Sequence, residues 1–509
     1  MKRTVLITGG AGFIGANFAH HVLRERPDWS IINLDLLAYS GNVRNLEGID
    51  ESRHRLVVGD ICDRELVDEL VEQCDGVIHM AAESHVDRSI NDASPFVRTN
   101  ILGTQVILDS LRDAQMRGRD LRMAFMSTDE VYGSLPLDRP ELLFTEDSQI
   151  QPRSPYATTK ASADLLCQAY HHTYGMDIVT TRCSNNLGPR QFPEKVIPLF
   201  VTNLIRGKKV PLYGDGLNVR DWLHVEDHCS AVLAVFERGA AGEIYNVGAD
   251  NERSNLELTK LILELMGHGE EMIEYVEDRL GHDRRYAIDS SKIQKELGWR
   301  AEHSDWPAAL EQTIEWYKNN EAWWDEILRG EHQKQAVKVF VPRRFGDDRG
   351  WFCESHNRHT LAELGFDIDF VQDNHAFSKL PFTMRGIHYQ VGEHVQDKFV
   401  RVVTGSALDV AVDLREGSPT FGKHAIAKLT STKGETILVP KGFGHGILTL
   451  EPDTHICYKS SASYAPQSEH GIIYNDPALG IDWGVDHARV QLSGRDAKLP
   501  VLSEQTNLL

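Results

Sequence analysis

Between residue 2 and about residue 185 the chain alternates short β-branched apolar runs with stretches of helical periodicity. The runs fall at 5–8, 31–34, 56–58, 77–80 and 123–126. Continuous apolar runs of this length are the mark of strands buried on both faces, with helices between them covering the two sides of a parallel sheet. The pattern predicts a doubly wound α/β domain over 1–185. From 186 to 320 the loops and helices lengthen, which predicts a smaller lobe that covers a substrate. Residues 321–336 are mainly polar, with Trp323 and Trp324 among them, and read as a linker that continues from the last helix of the first part. From 337 to 509 the period becomes two. Alternating segments at 337–340, 399–403, 407–413, 436–439 and 455–458 are punctuated by Gly and Pro, which predicts an antiparallel barrel or jelly roll. No internal repeat is evident.

Length and charge agree with a multidomain chain and narrow its partners. At 509 residues it exceeds what one core supports, so two or three domains are expected. A net charge of −21 argues against nucleic-acid binding. No apolar run is long enough to span a membrane, and Met1-Lys2-Arg3 leads straight into a strand, so neither a signal peptide nor a membrane partner is expected. Seven cysteines without CxxC spacing predict reduced thiols in a cytoplasmic protein.

The first run opens onto Gly10-Ala11-Gly12-Phe13-Ile14-Gly15 at the start of a helix. Glycines there allow a tight turn and close approach of a pyrophosphate to the helix N-terminus, as in a Rossmann domain. Asp35, 20 residues beyond Gly15, ends the second strand; a carboxylate there binds ribose hydroxyls and repels a 2′-phosphate, so NAD is the expected cofactor. Asp60 and Ile61, after the third strand, suit the adenine edge. Tyr156 and Lys160 are four apart and share a helix face. Lys160 is expected to hold the nicotinamide ribose and to lower the Tyr156 pKa, making the phenol a base toward a sugar hydroxyl. Asp129-Glu130 adds an adjacent acid and base, which suggests that water is eliminated in the same pocket.

These motifs resemble the extended short-chain dehydrogenase/reductases and, within them, the dTDP-glucose 4,6-dehydratase family. The likeness covers nearly all of residues 3–318 and includes 81–89, Thr128-Asp129-Glu130, Ser184-Asn185-Asn186, 191–195, 213–222 and 281–286. Nucleotide-sugar 4-epimerases lack the acid pair at this point. Leu187 and Arg190 stand where the family has tyrosines, and Leu280 where it has proline. The resemblance implies that Gly9, Gly12, Phe13, Ile14, Gly15, Asp35, Asp60, Ile61, Ala81, Ala82, Thr99, Tyr156 and Lys160 bind NAD. It implies that Ser84, Asn185, Asn186, Lys195, Arg220, Asn255, Arg279 and His282 bind the nucleotide sugar, where Arg and Lys suit a diphosphate by charge and fork geometry. It also implies a mechanism. Tyr156 takes the C4 hydroxyl proton as NAD+ takes the C4 hydride, with Thr128 bonded to the C4 oxygen. Glu130 removes the C5 proton that the new ketone acidifies, Asp129 protonates the departing C6 hydroxyl, and the hydride returns to C6. Asp129 must then carry a raised pKa.

The C-terminal part has no cofactor fingerprint. Its chemistry-bearing residues are His388, Lys398, His445, Tyr458 and Asp496. His-x-His metal spacing with a nearby Glu is missing around His388, so no metal is expected. Together with 345–350, 370–375, 409–415 and 418–422, these residues resemble the dTDP-4-dehydrorhamnose 3,5-epimerases, a metal-free cupin-like family, over about 337–500. The resemblance implies His388 as base, Asp496 as its orienting partner, Tyr458 as acid on the opposite ring face and Lys398 at the enolate oxygen. It implies Arg349, Glu354, Gln372, Asn374, Arg385, His445 and Glu469 as nucleotide or sugar ligands. Arg495 stands where the family has lysine. Protons α to a 4-ketone are acidic enough for imidazole when the enolate is stabilised, and inversion needs groups on two faces.

The expectation is a bifunctional enzyme taking dTDP-glucose to dTDP-4-dehydro-L-rhamnose, acting as a homodimer or larger homo-oligomer. Three alternatives stay open at this point: a C-terminal domain that inverts only C3 or only C5, one that is only a sugar-binding or regulatory module, and a first half with UDP-sugar specificity, as a dehydratase or as a 4-epimerase.

Overall fold

The computed structural model describes residues 2–279, 281–328, 337–363, 366–416, 418, 420–505 and 508–509. They form two compact units, the first made mainly from the residues up to Leu328 and the second from those after it.

The first unit is built on a seven-stranded parallel sheet. Its strands run in the order Ile244–Val247, Ile178–Cys183, Arg122–Thr128, Gly76–His79, Arg3–Thr8, Trp29–Asp35, His54–Val58. All five apolar runs are strands of this sheet, and Val5, Leu6 and Ile7 are fully buried, as a sheet covered on both faces requires. Strand order reverses between Arg3–Thr8 and Gly76–His79, so the carboxyl ends of these two strands flank the crevice where such folds bind ligands. The helix Phe13–Glu25 begins directly after the first of them.

The smaller lobe contains a three-stranded sheet of Glu252–Ser254, Val219–His224 and Asn185–Leu187, and a parallel pair, Ile273–Val276 with Val210–Tyr213. It is not a continuous segment, as 186–320 was expected to be. Strand Ile244–Val247 returns to the edge of the large sheet, and helix Val225–Arg238 packs its apolar residues with Val5, Ile7, Phe18 and Val22. An apolar helix face is buried wherever a sheet face needs cover, whatever its place in the chain. The linker expected over 321–336 falls in two parts. Glu321–Leu328 is a helix whose Trp323 and Trp324 enter the lobe's core, their indole N–H groups donating to Asn45 Oδ1 (3.0 Å) and the Tyr317 carbonyl (2.8 Å). Residues 329–336, like Leu280, lie outside the described residues.

The second unit is a cupin-like sandwich of two five-stranded antiparallel sheets. One runs Lys338–Phe340, Thr436–Val439, Lys398–Thr404, Thr454–Ser460, Gln372–Ser378; the other His424–Thr430, Ser406–Asp413, Phe443–Thr449, Met384–Gln390, Glu469–Ile472. The sheets face each other across one core, to which Val400, Ile437 and Ile456 contribute from the first and Ala407, Ala411 and Ile447 from the second. The hairpin Arg344–Asp347 with Gly350–Cys353 forms a separate two-stranded sheet. Among the described residues no helix is long and apolar enough to cross a membrane.

Candidate active sites

The glycine turn of the first unit is shaped by contact. Gly9 has φ +74°, and a Cβ there would meet Ala81 Cα at 2.7 Å and N at 2.8 Å. A Cβ on Gly15 would lie 2.2 Å from the Gly9 carbonyl oxygen, and one on Gly12 3.3 Å from it. The turn therefore leaves a cradle that any side chain would fill, at a helix N-terminus with no acidic residue in its first turn. That fits a pyrophosphate by space and by the helix dipole. Asp35 Oδ2 accepts from Ala11 N (2.8 Å), which fixes the carboxylate at the end of its strand. Phe13 and Ile14 pack on the core behind the turn, and Ala81 N donates to Thr8 Oγ1 (3.2 Å) with Ala82 next in line. Asp60 accepts from Cys62 N (2.8 Å) and Arg98 (2.7 Å), Ile61 is buried, and Thr99 lies in the π-helix Val97–Gly103. These residues line the sheet's carboxyl edge, where a dinucleotide would lie.

The acid pair follows strand Arg122–Thr128 in a 3₁₀ turn, Asp129–Tyr132. Thr128 caps it: its hydroxyl oxygen accepts from Glu130 N (3.3 Å) and its O–H donates to Asp129 Oδ1 (3.2 Å). Asp129 is 2% exposed, and its Oδ2 is buried without a hydrogen-bond partner. Burial, then the neighbouring Glu130 charge, pushes the Asp129 carboxyl well above the usual range, against the pull of Arg220. Burial also raises Glu130, while Arg279, Arg220 and Lys195 pull it back. One carboxyl is thus biased to keep its proton, and its neighbour is surrounded by cations.

Tyr156 and Lys160 sit on helix Pro155–Tyr174, both buried. The expected lowering of the Tyr156 pKa is not what the structure gives. Burial and the charges of Glu130, Cys183 and Asp129 raise it well above the usual phenol, with the Thr128 hydroxyl opposing. Lys160 spends its ammonium on the Met126 carbonyl (2.6 Å) and the Phe125 ring (4.4 Å), and burial brings it down to about 8. The cation is committed to backbone and ring while the phenol faces carboxylates.

Of the expected sugar ligands, Arg220, Lys195 and Arg279 are close enough to act on Glu130. Arg220 donates to the Asp283 carbonyl (2.9 Å) and lies 4.2 Å over the Tyr286 ring. Lys195 donates to the Ser84 carbonyl (3.2 Å). Arg279 lies 3.8 Å from Asp87, its Nε buried without a partner. His282 bonds Asp278 (2.6 Å), and Asn255 opens helix Asn255–Met266 with its N–H on the Asn218 carbonyl. Asn185 keeps a buried, unpartnered Oδ1. Asn186 differs: its amide donates to the Ser184 carbonyl (2.9 Å) and its oxygen faces His228 (2.9 Å), so it braces the lobe.

The second site lies between the two sheets of the sandwich. His388 Nε2 meets Asp496 Oδ1 at 2.8 Å, across 108 residues of sequence. Burial would raise Asp496, but the hydrogen bond and charge of His388, with the Ser493 hydroxyl, hold it below the usual carboxylate range. His445 is the cross-strand neighbour of His388, so the two rings share a sheet face. Its Nε2 lies 2.9 and 3.0 Å from the two oxygens of fully buried Asp409. Tyr458 stands on the opposite sheet, between Val400 and Asn374 in register. Burial raises its phenol. On the same sheet burial lowers Lys398 to about 8, with Asp409 and Glu469 opposing. Glu469 is clamped by Arg495 (2.7 Å) and the Tyr464 hydroxyl (2.6 Å). Gln372 bonds Asn374 (2.8 Å), whose Nδ2 is buried and unpartnered, and Arg385 donates to the Phe377 carbonyl (2.9 Å). Arg349 is not brought together with these groups: it is exposed on the separate hairpin and paired with Asp347. Glu354 follows that hairpin and accepts from Asn357 (3.1 Å).

A family model described as GDP-mannose 4,6 dehydratase matches residues 6–305, and one described as dTDP-4-dehydrorhamnose 3,5-epimerase matches residues 332–504. A dTDP-glucose 4,6-dehydratase of Streptomyces niveus is 50% identical over 330 residues, 64% of this chain and 95% of that protein. A crystal structure of the dTDP-glucose 4,6-dehydratase DesIV of Streptomyces venezuelae, with NAD and TYD bound, is 46% identical with TM-score 0.61, covering 64% of this chain and 99% of that one. The chain belongs to the dTDP-glucose 4,6-dehydratase family. By contrast, a UDP-glucose 4-epimerase of Thermotoga maritima is 28% identical with TM-score 0.57, covering 62% of this chain and 99% of its own.

Within this family member, three further residues bear on the sites and were not singled out from sequence. Asp283 holds Arg220 through its carbonyl and Tyr286 through its carboxylate (2.6 Å). Asp221, fixed by Asn251 N (2.6 Å), adds its charge to the raising of Asp129. Asp409 partners His445. Asp221, Asp283 and Asp409 all lie in matched motifs, but an aspartate in a strand or loop has no sequence signature of its partner.

Proposed function

We propose that the first unit converts dTDP-glucose to dTDP-4-dehydro-6-deoxy-glucose with NAD, and that the second epimerises this product at C3 and C5 to dTDP-4-dehydro-L-rhamnose. The observation that carries the reading is Asp129: a buried, proton-retaining carboxyl with one bare oxygen, next to Glu130 in a cationic setting. A plain alcohol dehydrogenase has no use for such a pair; a site that removes one proton and delivers another has.

NAD, seated on the glycine cradle with Asp35 and Lys160 at its riboses, supplies reversible hydride acceptance when bound. Tyr156 would take the C4 hydroxyl proton once the positive charge of bound NAD+ offsets the burial and carboxylates that raise its phenol, with Thr128 bonded to the same oxygen. Glu130 removes the C5 proton and Asp129 protonates the C6 hydroxyl as it leaves; C6 then regains the hydride and Glu130 returns a proton to C5, which gives the 6-deoxy ketone. Lys195, Arg220 and Arg279 bind the diphosphate. In the second unit His388, oriented by Asp496, removes the protons at C3 and C5 from one face, Lys398 stabilises the enolate oxygen, and Tyr458 returns protons from the other. The 4-ketone made by one site is what acidifies those carbons for the other. We read the working form as a homodimer or larger homo-oligomer in the cytoplasm; the free state of all seven cysteines fits a reducing compartment.

The test is incubation of the full chain with dTDP-glucose, and separately with UDP-glucose, in D₂O, followed by NMR. The expected product is the 6-deoxy-4-ketose with deuterium at C3 and C5 and the L-configuration, formed faster from dTDP-glucose. A product that keeps the C6 hydroxyl would overturn the reading.

A further inference from the structure

His79 ends strand Gly76–His79, is 1% exposed, and has no part in the chemistry above. Its hydrogen bonds fix its protons. Thr104 donates its O–H to the Asn100 carbonyl (2.7 Å), so the Thr104 oxygen must accept from His79 Nε2 (2.9 Å). Nε2 therefore carries the hydrogen, and Nδ1 is left as acceptor for the Thr8 hydroxyl (2.7 Å). With its O–H spent on His79, Thr8 Oγ1 accepts from Met80 N and Ala81 N (3.2 Å each). A protonated ring would break this order. Burial, then the charge of Lys160, pushes the imidazole down to about 3 and keeps it neutral.

Both ends of this chain reach the first site. At one end Ala81 is the residue against which Gly9 packs, with only 2.7–2.8 Å for a built Cβ, so a shift of Ala81 moves the cofactor turn. At the other, Asn100 sits in the π-helix Val97–Gly103, a register break often found at functional sites. Its amide donates to Thr159 Oγ1 (2.9 Å), and Thr159 donates to the Tyr156 carbonyl (2.8 Å).

We infer that His79 is a positioning residue for the first site, a neutral Nε2–H imidazole that locks the bed of the cofactor turn to the helix bearing Tyr156. The inference rests on the reading of that site as an NAD-dependent dehydratase. Hydride chemistry tolerates misplacement poorly, an error of about 1 Å costing on the order of 100-fold. A fully satisfied buried network is suited to suppress such errors.

The experiment uses the full chain with its bound cofactor and four variants: His79→Leu, His79→Asn, Thr104→Val and the His79→Leu/Thr104→Val double variant. Two quantities are read: the single-turnover rate at which bound NAD is reduced after dTDP-glucose is added, and the NAD retained after gel filtration. Each single variant is expected to slow reduction by about 30-fold or more with KM within about twofold, and the double variant to be no slower than the worse single one, because both cut one chain. Retained NAD is expected to fall in His79→Leu and to recover in His79→Asn, whose amide oxygen can still accept from Thr8. Rates within about twofold of the parent, or losses that multiply in the double variant, would overturn the proposal. Thr104→Val is nearly isosteric and keeps the test open if His79→Leu fails to fold. If the parent itself does not reduce NAD with dTDP-glucose, the dehydratase reading fails, while the NAD-retention comparison still decides the role of His79.

Discussion

Asp129 in the first unit and Asp496 in the second are both nearly fully buried, at 2% and 6% exposure, yet their carboxyls are driven in opposite directions. Asp129 has a carboxylate neighbour and a bare oxygen, so burial dominates and its carboxyl is raised. Asp496 has an imidazole at 2.8 Å and a serine hydroxyl, so pairing outweighs burial and the proton is lost. Burial raises both acids; whether a partner for the charged form outweighs it decides the direction. On the proposed reading the first site needs a proton donor and the second an orienting anion, and the neighbours supplied favour each. Both sites also carry a lysine that desolvation brings down to about 8, buried Lys160 and partly buried Lys398.

The comparison can be broken hardest at the acid pair. Glu130→Gln should leave reduction of bound NAD measurable at 340 nm while cutting release of the 6-deoxy ketone by about 1,000-fold or more. A variant that still releases the ketone at the parent rate would remove Glu130 from the mechanism. Next, Tyr458→Phe should cut formation of the inverted sugar by about 100-fold, while solvent deuterium still enters through His388; NMR reads both, and loss of exchange together with inversion would reassign the roles. Asp496→Asn should cost about 10-fold to 100-fold in epimerisation and leave the dehydratase unchanged.

Smaller effects sharpen the contrast through pH. Deprotonation of Lys398 should weaken enolate stabilisation above its value of about 8. Lys398→Arg, which stays charged, should abolish that alkaline limb in an epimerase assay and leave the dehydratase profile as it was. For stability the sign follows from the depressed Asp496 value. Its contribution is fully present above the ordinary aspartate pKa of about 3.9 and is lost as pH falls through the folded value. Thermal unfolding of the parent and of Asp496→Asn should therefore differ near neutrality and converge in acid; a gap that persists there would mean the pairing is not the source.

Much of this was legible in the chain. Five apolar runs became five strands of one parallel sheet, and the alternating segments after residue 337 became strands of a sandwich, because side-chain period reports burial locally. Gly9 to Gly15 read as a close-approach turn because only glycine tolerates those contacts. The acid pair and Tyr156-Lys160 were visible because each is a short-range motif.

What the sequence could not carry was partnership at long range. Strand Ile244–Val247 joins a sheet whose other strands end at Cys183; Arg349 goes to a separate hairpin; His79 is one apolar-run residue among many until Thr8 and Thr104 close on it. A raised Asp129 pKa was expected from the elimination chemistry and adjacent Glu130, but the wider field that acts on the carboxyls belongs here too. It depends on Arg220, Asp221 and Arg279 around Asp129 and Glu130, and on a histidine 108 residues from Asp496. Periodicity and spacing are properties of neighbours along the chain, whereas electrostatic fields and hydrogen bonds depend on distance in space, and only folding sets that distance.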